Sequence, residues 1–422
     1  MAATYADLSR LDKILRDKPL MDGIQSAYNK ATPFLERITQ NLPLSGRKGI
    51  FPVQFGANEG HYMRADRGTF GNSQVNQPLL AEIASKFAYS IFEVSGPTIS
   101  ASRDEWAFQE ALSLSLEQTL TGARLDRSRR MLNPTGNGVI CLVQSKTSTT
   151  IIVVDSPFGL LSYKGNVDVK NILRKDMPLD VIDVTSPPDT KHHDDDAVSS
   201  ISHTGTGSTL TLDTAEATAP ADGDYVARSG NYGLENVGFF NGVFGASLGG
   251  TDTYLNVARS GNTGWQGVTV DAADGGGTAV QLDPDMMRDT IDQIQEDSGE
   301  RPTLILTNYK GRRNIFNLLQ PQVRFVPMNL PGGLTENTLS WDDMSVLVER
   351  FFPPQHIAFV NIGFWYHAIE KDFEWIPGDA GTVLHSMVTA GRDSYRAVGR
   401  FYGNGPITLF PATNGILYGL KE

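Results

Sequence analysis

The stretch 102-SRDEWAFQEALSLSLEQTLTGARLDRSRRMLNPTGNG-138 decides how this chain folds. Ser102 and Glu105 form a capping box, with Asp104 also in the first turn. Phe108, Leu112, Leu116 and Leu120 recur at a spacing of four, with Ala111 and Ala123 beside them. Arg124, Arg127, Arg129 and Arg130 fill the last turns, and Pro134 and Gly136 stop the helix. At about 1.5 Å per residue, roughly thirty residues make a rod of about 45 Å. Arginines beside Gly136-Asn137-Gly138 are also what a phosphate site would want. A phosphate loop, however, places its glycines after a strand and before a helix, so that helical N–H groups face the anion. The order here is reversed, and the arginines complement the negative end of the helix dipole. The stretch therefore reads as a capped structural rod.

Working outward, residues 1–45 read as an amphipathic arm, with Leu8, Leu11 and Leu15 on one face. Such an arm cannot bury its stripe alone. Arg47 to Phe55 is strand-like, glycines and polar residues follow, and Phe87 to Val94 is strand-like again. This reads as a long hairpin, an extension that gains order only on another surface. Short β runs at Thr150 to Val154, Leu179 to Val184, Thr209 to Leu212 and Asp224 to Arg228 alternate with turn clusters. They read as a small β-barrel inserted in the chain. Asp283-Pro284 opens a helix closed by Gly299; strands follow at Thr303 to Leu306, Val323 to Val326 and Ile357 to Val360, and further strands end the chain.

At 422 residues the chain is long enough for more than one domain. Its 42 glycines and 22 prolines favour turns and β structure. A single cysteine, Cys141, rules out an intramolecular disulfide and reads as a small buried hydrophobe. Charged residues interrupt the N-terminal region, so no signal peptide is expected. No window approaches the roughly 18 apolar residues of a membrane span, and folding in a cytoplasm is expected. The formal net charge of −12 opposes tight wrapping of nucleic acid.

Few residues point to chemistry. His192-His193-Asp194-Asp195-Asp196 has metal-ligating types, but neighbours in an extended loop point in different directions, so a solvated surface loop is expected. No GxSxG nucleophile turn occurs. His356, His367 and His385 have apolar surroundings and read as packed or locally hydrogen-bonded. Glu370, Asp372 and Glu374 read as a solvated acidic face. No catalytic, cofactor-binding or metal-binding residue is assigned, no cofactor is expected, and the chain reads as no enzyme.

The order of elements resembles the major capsid proteins of tailed bacteriophages, the HK97 fold. Ser102 to Arg130 running into Met131-Leu132-Asn133-Pro134-Thr135-Gly136-Asn137-Gly138 resembles that family's spine helix and its following turn. Asn256 to Trp265 resembles a segment in which an arginine precedes a tryptophan after a short polar loop. Leu282 to Glu300 and then Arg301 to Asn308 resemble the helix and strand of the axial domain, and Gly223-Asp224-Tyr225-Val226 a turn of inserted β domains.

The resemblance implies an α+β chain: N-terminal arm 1–45, extended loop 46–95, peripheral domain with spine helix 96–147, inserted β domain 148–235, a peripheral return 236–284, axial domain 285–380 and C-terminal peripheral strands 381–422. It implies a structural protein that self-assembles into pentamers and hexamers of an icosahedral virion shell around double-stranded DNA, held without sequence-specific binding. Expected partners are further copies of itself, a separate scaffolding protein, a portal and a decoration protein, with no membrane; synthesis is expected in the host cytoplasm. No lysine lies between Lys48 and Lys86, so no isopeptide crosslink is expected from the hairpin. The rival readings are a monomeric β-rich surface or tail-fibre protein, and a metal-dependent hydrolase using His192 to Asp196 or the acidic run near 370.

Overall fold

The computed structural model describes residues 33–421 except 45–47, 55–60, 62, 65, 69–77, 98–104, 161–168, 170–171, 185–189, 205–206, 216–219, 245–252, 276, 320–338, 378–383 and 388–390; along the long helix, side chains are described from Gln118 onward. The arm leucines, the Ser102 cap, the polar reach of the hairpin and the strand expected at Val323 to Val326 lie outside these residues.

The long helix spans Glu105–Arg130. In its described half, Thr121, Leu125, Ser128 and Arg129 are buried while Leu120 is half-exposed. The inward row therefore differs from a continuation of the leucine row. With 3.6 residues per turn, a strict spacing of four drifts around the helix, and after several turns another face points inward.

The helix lies against a five-stranded sheet. Its path runs Gln40–Pro43, Trp365–Trp375, Ser394–Thr408, His385–Ser386, and Lys86–Ser95 pairs with Ser394–Thr408 along its other edge. The Arg127 guanidinium sits 4.5 Å over the Phe401 ring. Here the structure corrects the hairpin. Lys48–Val53 pairs with Leu79–Ala84, register Lys48↔Ala84 to Val53↔Leu79, and not with residues 87–94. Lys86–Ser95 instead pairs antiparallel with Ser394 to Gly403. The return strand was hidden because LLAEIA does not alternate cleanly, yet Ala81 and Ile83 are fully buried against Tyr254, Leu255 and Trp265.

A second sheet has six strands in the order Val268–Asp271, Gly415–Tyr418, His356–Val360, Leu304–Thr307, Met344–Val348, Ser340–Trp341. The helices Pro284–Ser298 and Tyr309–Leu319 pack on it. Asp283 caps the first helix, its side chain accepting from the Asp285 N–H, and Gly299 ends it in the left-handed conformation. Met287, Ile291 and Ile294, at helical spacing, are buried against Ile305, Phe359 and Leu417.

A closed six-stranded barrel joins Tyr225–Arg228, Val139–Lys146, Ile151–Asp155, Gly207–Leu212, Thr190–Thr204 and Pro178–Asp183. It takes in Val139–Lys146, the strand that follows the long helix directly. Cys141 lies on that strand, fully buried, and burial pushes its thiol well above the usual range. The expected surface loop at His192 to Asp196 is corrected: these residues belong to the strand Thr190–Thr204. His193 and Asp196 are buried and bonded to each other at 2.9 Å, whereas Asp194 and Asp195 are exposed. Polar pairing lets the barrel carry residues whose composition reads as loop.

Rings tie these parts together. Phe34, from the short helix Pro33–Arg37, packs edge-on against Phe239 at 5.1 Å and Trp365 at 5.7 Å. Phe239 stacks on Trp365 at 5.0 Å, Phe240 on Phe244 at 5.0 Å, and Phe158 of the barrel reaches Phe240 at 6.5 Å. Such pairs contribute about 0.5–1.5 kcal/mol each beyond area burial.

Candidate assembly surfaces

The arginines that end the long helix form a charged knot. Arg129 is 3% exposed and is bonded to Glu235, one of its two contacts at 3.1 Å, and to Asp126 at 3.1 Å. Arg130 pairs with Asp126 at 2.9 Å and Arg228 with Asp126 at 3.2 Å. Against the burial that opposes its ionisation, Arg129, Arg130 and Arg228 hold the Asp126 carboxyl well below the usual carboxylate range. Glu235 also accepts from Asn133 and Asn231, each at 3.1 Å. The Asn133 side-chain oxygen in turn accepts from the backbone of Thr135 and Gly136, both at 3.2 Å. The turn after the helix is thus nailed to Glu235. Gly136 and Gly138 sit at φ +74° and +79°, where a side chain is strained. Arg124 is exposed on the same helix. Sequence reasoning found the arginines and missed Asp126 and Glu235; the alternation of signs within RLDRSRR was the available signal for Asp126.

In the segment Asn256 to Trp265 the side chains of Val257, Arg259 and Trp265 point inward, while Asn256, Ala258, Ser260 and Gly261 are exposed. Arg259 is 3% exposed and donates to the carbonyls of Phe244 and Asn241 and, at 2.8 Å, to the Asn241 side chain. The Trp265 ring N–H donates to the Tyr254 carbonyl at 2.9 Å. Both groups are committed to the interior.

Histidines and acids that would serve chemistry are held locally. His356 bonds the Pro354 carbonyl at 2.6 Å and stacks on Tyr418; His367 bonds the Leu35 carbonyl at 3.0 Å, and His385 the Ile376 carbonyl at 3.2 Å. Glu374 pairs with Lys371 at 2.7 Å and Arg400 at 2.5 Å. The structure does not gather these residues into one place.

What the fold leaves open is a sheet face. On Lys86–Ser95, Phe87, Tyr89 and Ile91 are 58%, 54% and 55% exposed. Alternation puts all three on one side. Phe401, under Arg127 of the helix, is paired with Ala88, whereas Tyr402 is paired with Phe87. The row therefore faces away from the helix. Phe87 meets Tyr402 edge-on at 4.9 Å, and the row is flanked by the pairs Arg400–Glu374 and Arg396–Glu93, the latter at 3.0 Å. The separate two-stranded ribbon Lys48–Val53 and Leu79–Ala84 exposes Ile50 and Leu80, at 56% and 58%. Sequence reading missed this face because periodicity says which residues share a side, not which side is covered.

No family model matches the chain, and no curated protein does. Solved structures do. The cyanophage A-1(L) capsid asymmetric unit is similar at TM-score 0.55 and 11% identity, over 95% of this chain and 96% of that one. The capsid of a native GTA particle follows at TM-score 0.46, 9% identity and 93% and 91% coverage. Mycobacterium phage Bobi gives TM-score 0.44, 9% identity and 98% and 99% coverage. The first of these likenesses runs nearly end to end, and it places this strand-rich α+β chain in the capsid-type fold of bacteriophages.

Proposed function

We propose that the chain is a capsid subunit, a structural and non-enzymatic protein that assembles into pentamers and hexamers of an icosahedral shell around the double-stranded DNA of a tailed phage. The observation that carries this reading is the uncovered Phe87–Tyr89–Ile91 face, on a chain whose fold matches a capsid subunit over 95% of its length. Covering such a row contributes about 1.5–3 kcal/mol per fully buried side chain, and many copies closing into rings supply the cover.

In this reading the reach between Val53 and Leu79, within 46–95, extends over one neighbour, the part of 1–45 that precedes Pro33 crosses to another, and the six-stranded sheet with its two helices, the core of 285–380, surrounds the fivefold and sixfold axes. The long helix and the five-stranded sheet, with 96–147, 236–284 and 381–422 joined by Trp365–Trp375, form the peripheral domain, and 148–235 together with Val139–Lys146 form the inserted β domain. The net charge of −12 suits an inner wall that must not grip the genome. A separate scaffolding protein, a portal and a decoration protein complete the set of partners, with the virion as final location. Among the described residues, no helix is long and apolar enough to cross a membrane.

The test is expression of the chain alone and with neighbouring reading frames, followed by electron microscopy and light scattering. Closed shells support the proposal; well-folded protein that stays a monomer near 46 kDa in every combination overturns it.

A further inference from the structure

At one end of the barrel three strands bring Asp183, His192 and Asp224 together, with one donor atom from each all within 4.8 Å of one another. Asp183 ends the strand Pro178–Asp183, and Asp224 immediately precedes Tyr225–Arg228 on the neighbouring strand. His192 falls at a register shift: Lys191 faces Ile182, but His193 faces Val181. Such a bulge re-aims a side chain, and here it sends the His192 ring to both carboxylates. Its Nε2 lies 3.4 Å from Asp224 Oδ2 and 3.7 Å from Asp183 Oδ2.

Asp224 is fully buried. Its Oδ2, the oxygen that faces His192, accepts from the Ala221 N–H at 2.6 Å, and the Val184 backbone N–H also bears on the carboxylate, while its Oδ1 is buried with no close hydrogen bond among the described residues. A buried carboxylate oxygen left in this way is costly. The adjacent Lys191 does not relieve it, being held by Asp180 at 2.8 Å and Asp194 at 2.6 Å.

We propose that Asp183, His192 and Asp224 bind a first-row divalent metal ion of the zinc type. Bonds of about 2.0–2.2 Å in tetrahedral array set donors about 3.4 Å apart, close to the 3.4 Å and 3.7 Å that separate His192 Nε2 from the two carboxylates. One imidazole and two carboxylates suit such an ion, and three protein ligands leave a fourth position for water. Only His192 comes from the run His192 to Asp196; Asp183 ends a second strand and Asp224 leads into a third, so adjacent residues pointing in different directions are no obstacle here. The ion's role is to staple this end of the barrel.

The experiment uses full-length protein stripped with chelator and dialysed. Zinc is titrated calorimetrically, cobalt is added as an optical probe, and thermal unfolding is followed with and without zinc. Expected are one site per chain, a raised midpoint with zinc, and cobalt ligand-field bands. His192→Gln and Asp224→Asn should each weaken zinc binding by more than about tenfold and abolish the bands, while unfolding cooperatively without metal. If Asp224→Asn fails to fold, His192→Gln decides the matter alone. Absence of stoichiometric binding to the wild type, or unchanged binding in His192→Gln, overturns the proposal. An equal midpoint shift with magnesium or calcium that survives His192→Gln does so too.

Discussion

Arg129 and Glu235 stand 106 residues apart in sequence and meet as a buried ion pair. The contact joins the end of the long helix to the segment that leaves the barrel, so it fixes where the barrel begins and returns. Removing one partner strands the other as a buried charge, which costs about 3–5 kcal/mol. Arg129→Met should therefore lower the unfolding free energy measured in urea by that much, and Arg129→Met with Glu235→Leu should recover most of the loss. A single variant within about 1 kcal/mol of wild type would show that the knot carries little stability.

Glu349 gives the fold a pH dependence. It is 1% exposed and accepts from the Ser128 hydroxyl at 3.1 Å and the Phe34 N–H at 3.5 Å. Burial, with the nearby charge of Glu36, pushes its carboxyl from 4.5 up to about 7. An acid raised on folding stabilises most when protonated, so its contribution is complete below about pH 4.5 and fades as pH rises through about 7. The difference is about 3 kcal/mol at most. Glu349→Gln should flatten the change of urea midpoint between about pH 4 and about pH 8, values that bracket that window. An unchanged slope would assign the pH dependence elsewhere.

The exposed row offers a direct test of assembly. Phe87→Thr, Tyr89→Thr and Ile91→Thr together keep strand propensity while removing apolar surface. The triple variant should unfold within about 1 kcal/mol of wild type yet fail to form particles by light scattering. Particles in normal yield would show that this face is not a contact.

The ribbon offers another. Ala81 and Ile83 belong to the core, so a deletion must stop short of Leu79. Replacing residues 56–76 by a short glycine linker across the Val53↔Leu79 pair should leave a cooperatively unfolding monomer that does not assemble. Normal particles would mean that the extension serves something other than a neighbouring copy.

Local signals carried the regular elements well. The arginine-rich end of the rod and the Asp283 cap with its Gly299 stop were legible, because each rests on contacts within a few residues. Long-range pairing was not. Whether Lys48–Val53 pairs with residues 79–84 or 87–94 depends on what Ala81 and Ile83 meet in Tyr254 and Trp265, far along the chain. Charge misled in the same way. His193 and Asp196 look like loop residues until their 2.9 Å bond is seen inside a barrel. Glu235 and Glu349 carry no local mark at all; their partners lie across the fold.

The barrel shares its interior with the rest of the molecule: Ile152, Val181 and Leu210 belong to one continuous core with Phe240, Phe352 and Trp365. It is therefore no detachable appendage. Excising residues 150–230 would expose the Phe240 side of that core, so the barrel should resist trimming and swapping. Foreign peptide for particle display belongs at the far hairpin, beyond the Thr204↔Gly207 pair, where added chain leaves the shared interior closed.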